Sequence, residues 1–116
     1  MPKLKEIHTL EEWKEIKSDY ATEEIVVFKY SPLCPISASV ERDFDNWFSK
    51  LPEEQKLSCV KINVVDSRPL SRALAESFKV NHQSPQVIWL TNNLEVKWHA
   101  SHYDISSRSL SANLKN

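Results

Sequence analysis

An α/β fold, with a central mixed sheet of four or five strands and helices on both faces, is predicted by three features of this 116-residue chain. Short β-branched and aromatic runs alternate with amphipathic helical stripes, the pattern of parallel strands joined by right-handed crossovers. The last two β-rich runs have only a tight turn between them and should pair antiparallel. The length is near the commonest size of a domain, so residues 1–116 read as one domain around one core.

The elements follow in order. Residues 3–7 alternate weakly and read as a short edge strand. Thr9 and Glu12 have capping-box spacing, and Leu10, Trp13, Ile16 and Tyr20 recur at helical intervals, which predicts a helix over 10–18. The run Ile25 to Tyr30, closed by Ser31-Pro32, is a buried strand. From Ile36 the positions Val40, Phe44, Trp47, Phe48 and Leu51 draw an apolar stripe along a long helix, with Pro35 in its first turn, where no amide donor is missed. Pro52 breaks that helix, and residues 57–65 form a second interior strand, apolar on both faces. Pro69, Leu70, Ala73, Leu74 and Phe78 mark a shorter helix, which either Asp66 or Ser67 is placed to cap. Residues 86–90 and 95–101 are the hairpin strands, joined through Asn92 and Asn93, side chains that tolerate left-handed backbone. Leu110 and Leu114, four apart, support a last short helix within 106–113.

Composition excludes several functions. Fifteen basic and sixteen acidic residues, mixed along the chain for a net charge of −1, leave no electrostatic footprint for nucleic acid or an anionic membrane. Apolar residues at 41% and charged residues at 27% match an ordinary globular domain. No apolar run approaches the roughly 20 residues that cross a bilayer. The amino terminus lacks the apolar stretch of a secretory leader, so the cytoplasm is the expected compartment. The absence of glycine removes every Gly-rich phosphate loop. Two cysteines are too few for a disulfide scaffold or a thiolate-built zinc site, and no metal is expected.

The chemistry-bearing segment is Ser31-Pro32-Leu33-Cys34-Pro35-Ile36-Ser37, between the carboxyl end of a strand and the start of the longest helix. That junction is where open α/β sheets bind ligands. A cysteine there faces unpaired amides and the positive end of the helix dipole, and helix-start thiols titrate at roughly 3.5–7.5 against about 8.5 when free. Cys34 is therefore the expected nucleophile. Ser37, one turn on, either hydrogen-bonds the thiolate or merely opens the helix. Cys59, second in a strand taken to start near Ser58, should lie more than about 15 Å from Cys34, beyond the limit of about 7 Å between Cα atoms for a disulfide. It reads as a buried apolar filler. Lys29 either adds positive potential beside the thiolate or is a solvated strand-end lysine. His82 reads as an exposed loop residue, and His99 and His102, three apart on one strand, point to opposite faces and do not share a metal. The four tryptophans fall on periodic apolar positions and read as core or groove walls.

Cys34-Pro35-Ile36-Ser37 resembles the Cys-Pro-Ile-Ser motif of the monothiol bacilliredoxins. Phe28-Lys29-Tyr30-Ser31 resembles the family's lead-in to the cysteine, Ser84-Pro85-Gln86 its Ser-Pro-Gln loop, and Ser101-His102-Tyr103-Asp104-Ile105 its carboxy-terminal segment. The chain departs from the family pattern at Tyr30, where His is frequent, and at Gln83, where Glu is. The resemblance implies a thioredoxin-like fold and removal of bacillithiol from mixed disulfides on client proteins, with Cys34 catalytic, Pro35 and Ser37 supporting the thiolate, and no cofactor beyond the small thiol itself. An X–Pro bond is ordinarily trans, whereas the resemblance implies a cis Pro85 facing the cysteine, so that Ser84 and Pro85 bind substrate. With Ser37 in the place of a second cysteine, the thiol that resets Cys34 is expected to come from solution. The partners implied are S-thiolated client proteins and a low-molecular-weight thiol, acting on a monomer. Two rival readings are a non-catalytic binding module of the same fold and an iron–sulfur carrier of the monothiol glutaredoxin kind, although the latter's usual Cys-Gly-Phe-Ser differs at Pro35-Ile36.

Overall fold

A computed structural model describes residues 2–19 and 23–114. Its elements run β1 (Lys3–Glu6), α1 (Leu10–Asp19), β2 (Glu24–Tyr30), α2 (Pro35–Ser49), β3 (Leu57–Asn63), α3 (Arg68–Phe78), β4 (Gln86–Leu90), β5 (Val96–Ser101), a single 3-10 turn (His102–Asp104) and α4 (Ser107–Ser111). The order is the one the periodicities predict. Tyr20, the last position of the α1 stripe, lies outside the described residues.

The sheet is five-stranded and mixed, in the order β1-β3-β2-β4-β5. β1 and β2 flank β3 in parallel, while β4 runs antiparallel to both β2 and β5. Strand alternation divides the interior in two. Ile25, Val27, Val60, Ile62, Ile88 and Leu90 face Trp13 and Ile16 of α1 and Leu70 and Leu74 of α3. Val26, Phe28, Cys59, Val87 and Trp89 face Val40, Phe44, Trp47 and Phe48 of α2 and Leu110 of α4. Trp13, Trp47 and Trp89 are buried core, and the half-buried Trp98 packs on the second layer. No helix among the described residues is long and apolar enough to cross a membrane.

Three local expectations are corrected. β3 ends at Asn63 rather than residue 65, because the Asn63 side-chain oxygen accepts from the amides of Val65 and Asp66 and turns the chain. The left-handed residue of the β4–β5 turn is Leu94, with φ 64°, not an asparagine. Thr91 supplies the turn's bonds instead, its hydroxyl accepting from the Asn93 and Glu95 amides. His102 lies outside β5, at φ 54° in the 3-10 turn, so it does not share a strand with His99. Ser67 stands at the start of α3, but its side chain makes no capping bond.

Candidate active site

Registry brings four loops to one end of the sheet. Tyr30 ends β2 opposite Asn63, the last residue of β3, and Gln86 at the start of β4 pairs with both Lys29 and Ser101. The loop of residues 31–34, the turn of residues 64–67, the Ser84-Pro85 bond and the 3-10 turn therefore meet there. The Ser84–Pro85 peptide is cis, and the Pro85 carbonyl accepts from the His102 amide at 3.0 Å. The β2–β4 register ends at Lys29 opposite Gln86, so the Ser84–Pro85 bond leads into the sheet at the end where β2 gives way to the cysteine loop.

Cys34 is the N-cap of α2, with φ −111° and ψ 119°. The following proline enforces that extended backbone, because its ring clashes with an α-conformation in the residue before it. Pro35 has no amide and Ala38 bonds back to the Cys34 carbonyl at 3.2 Å, which leaves the amides of Ile36 and Ser37 at the open end of the helix. No acidic side chain in the first turn offsets the helix dipole, and the Cys34 side chain makes no capping bond. The sulfur sits partly exposed at the positive end of a fifteen-residue helix.

Ser37 is fully buried, and its hydroxyl oxygen accepts from the Ser31 amide at 2.9 Å. This bond ties the loop to the first turn of α2. The Ser31 hydroxyl accepts in turn from the Leu33 amide at 3.2 Å, and the Ser31 carbonyl from the Cys34 amide at 3.3 Å. Ser31 is thus the hub of the cysteine loop, a role invisible in a sequence where it reads as a turn residue before proline. Ser37→Ala strips the Ser31 amide of its acceptor and is expected to destabilise the fold by about 1–3 kcal/mol, read from the urea midpoint.

Cys59 is the third residue of β3, which opens at Leu57 rather than Ser58. It pairs with Val26, four residues before Tyr30, so about 13 Å of strand separates its level from the end that carries Cys34. Both cysteines are free. Cys59 is 2% exposed in the layer under α2, and burial pushes its thiol far up. One sulfur meets the solvent at a helix start and the other is inert filler.

Lys29 is not a solvated strand-end residue. It lies on the same face of β2 as Ile25 and Val27, is fully buried, and donates from Nζ to the Ser71 carbonyl at 2.9 Å. Burial holds its ammonium down at about 8. Between that value and about 10.4, where a free lysine titrates, the unfolded chain carries a proton that the folded one lacks, so Lys29 makes stability rise with pH across this window. Lys29→Met is expected to remove that rise: wild type gains on the variant between pH 8 and 10 in paired urea titrations. His82 is exposed, as expected of a loop residue, but its Nδ1 lies 3.2 Å from the Ser71 hydroxyl. Tyr30 donates to Glu6 Oε1 at 2.8 Å, and burial followed by the Glu6 carboxylate raises its phenol to about 12. Lys61, behind α2, keeps its proton because hydrogen bonds and charge from Asp45 and Glu41 outweigh its burial.

Leu33, 79% exposed beside Cys34, and Tyr103, 70% exposed on the turn bonded to Pro85, supply apolar surface on the loops of this end. Motif reading passed over both as site residues, since singly exposed apolar side chains are common on any protein surface. Among the described residues no group of three or more His, Cys, Asp or Glu side chains is placed to hold a metal ion.

A sheet of this order, a solitary cysteine at the N-cap of the helix after β2 and a cis proline at the head of β4 define a protein of the thioredoxin fold. Solved structures agree. One described as having a thioredoxin fold superposes with TM-score 0.79 at 24% identity, over 94% of this chain and 91% of the other. Thioredoxin from Schistosoma mansoni gives 0.75 at 15%, over 97% and 93%, and Trxlp from Edwardsiella tarda 0.70 at 20%, over 97% and 99%. At such identities the likeness establishes the fold alone. The model of the family described as monothiol bacilliredoxin BrxC matches residues 5–110, and the chain belongs to that family. Membership and fold together make it a thiol redox protein of the oxidoreductase type.

Proposed function

We propose that the protein removes bacillithiol from mixed disulfides on client proteins, in the cytoplasm of a bacterium that uses this thiol, with Cys34 as nucleophile. One observation carries the reading: a partly exposed cysteine stands at the N-cap of α2, while the position three residues on holds a buried serine engaged by the Ser31 amide.

The Cys34 thiolate attacks the bacillithiol sulfur of the mixed disulfide. A new S–S bond forms between Cys34 and bacillithiol, the old one breaks, and its electron pair leaves on the client cysteine as thiolate. A second bacillithiol thiolate from solution then attacks the Cys34 adduct, giving bacillithiol disulfide and regenerating the Cys34 thiolate, so no electrons are gained or lost across the cycle. Pro35 holds Cys34 extended and leaves the first-turn amides to the sulfur, and Ser37 fixes the loop. Ser84 and Pro85 offer backbone to an extended client segment. Among the described residues the Ser84 hydroxyl is enclosed without a hydrogen-bond partner. Leu33 and Tyr103 contribute apolar contact with the client.

The test is catalytic release of a client thiol from its bacillithiol mixed disulfide by reduced protein in the presence of free bacillithiol. Turnover supports the proposal, and a client that stays blocked contradicts it.

A further inference from the structure

A cavity of about 240 Å³ lies between the start of α3 and the approach to β4, lined by Val64, Val65, Arg68, Ser71, Arg72 and His82. Its polar wall is cationic. Arg68 and Arg72, four residues apart, share one face of α3, and among the described residues no carboxylate lines the cavity. Among the described residues neither arginine forms a salt bridge within the chain. Behind this wall lies Lys29, a fully buried cation whose one acceptor is the Ser71 carbonyl, with no carboxylate paired to it among the described residues. The Ser71 hydroxyl joins the two layers by reaching His82 at 3.2 Å. Partial desolvation, then the charges of Lys29, Arg72 and Arg68, push the His82 imidazole below its ordinary value. A buried, unpaired ammonium is costly to fold around, and an anion in the cavity would offset it.

The cavity lies at the same end of the sheet as Cys34. Val64 in its wall donates to the Tyr30 carbonyl at 2.9 Å, and the next residue, Ser31, accepts from the Cys34 amide at 3.3 Å. Two hydrogen bonds and the roughly 5 Å between successive carbonyl oxygens of an extended chain place the Val64 and Cys34 amides within about 12 Å, a span for a small thiol attached at Cys34 and the arginine side chains to cover together. Guanidinium pairs present forked donors that match carboxylate oxygens. We propose that this cavity binds a carboxylate of the low-molecular-weight thiol, so that the protein selects anionic thiols over neutral ones. The inference rests on the thiol-transfer reading for its ligand, and its test has one arm that does not.

In that arm the His82 ring protons are titrated against pH by NMR, with succinate or with chloride at matched ionic strength. Succinate is expected to raise the His82 midpoint in the wild type and not in Arg68→Gln/Arg72→Gln, whose substitutions lie on exposed positions. No difference between succinate and chloride, or an equal rise in the variant, overturns the site whether or not the protein transfers thiols. In the second arm one client is blocked with mercaptosuccinate or with 2-mercaptoethanol, and the ratio of the two release rates is compared between proteins. The wild-type preference for mercaptosuccinate is expected to fall roughly tenfold in the double variant, the scale of a lost charge-assisted hydrogen bond. An unchanged ratio overturns the proposal, as does an equal loss with both adducts, which would assign the arginines to the client's own acidic groups.

Discussion

Cys34→Ser is expected to lower release of the blocked client thiol by at least about a thousandfold. A serine hydroxyl in the same place is far less acidic than a thiol and leaves no polarisable anion to attack sulfur. Nothing nearby substitutes for it. Ser37 is buried and occupied by the Ser31 amide, and Cys59 sits inside the layer under α2 with its thiol pushed up by burial. Cys59→Ala is the matched control. It is expected to change the rate by less than about twofold while costing stability on the order of 1 kcal/mol for the small void left in the core. A comparable loss in both variants would mean that Cys59 takes part in the reaction.

Phe44→Ala is expected to destabilise the fold by about 3–5 kcal/mol. Phe44 is fully buried at the middle of α2 and is the ring through which the helix grips the sheet. Its centroid lies 4.6 Å from that of Phe28 on β2, 5.7 Å from Trp47 and 6.1 Å from Phe48. Trp47 continues the cluster to Trp89 on β4 at 6.1 Å. Removing Phe44 opens a void bordered by three aromatic rings, none of which can fill it without giving up its own contacts. Against the 5–15 kcal/mol of a typical domain this is a large share, and since α2 carries Cys34 at its amino end, activity should fall at temperatures below global unfolding. A urea midpoint within error of wild type would show that the cluster adds little.

The sequence pattern was enough to order all nine predicted helices and strands, because each helix buries one face at a period of 3.6 while β2, β3 and β4 are short apolar runs buried on both faces and bounded by turn residues. Cys34 was legible for a similar reason: its place between a β-branched run and a proline-started amphipathic stripe is local information. The cis Ser84–Pro85 bond was not, since local chemistry favours trans, and only the resemblance pointed to it. Lys29 was half legible. Its neighbour Tyr30 and the following Ser-Pro suggested a wet strand end, yet alternation from Ile25 and Val27 already assigned it to the α3 side. Leu94 took the left-handed position from the asparagines because Thr91 set the geometry of the turn. The grouping of Arg68, Arg72 and His82 around Ser71 was beyond reach, as it exists only once α3 packs beside the approach to β4.

The most direct test of the central claim, a solitary Cys34 nucleophile with no internal resolving thiol, is peptide mass mapping after the reduced protein meets a bacillithiol mixed disulfide with no free thiol present. A single bacillithiol adduct on Cys34, with Cys59 still a free thiol, is the expected result. An adduct on Cys59, or a Cys34–Cys59 disulfide recognised by the loss of two hydrogens, would contradict it.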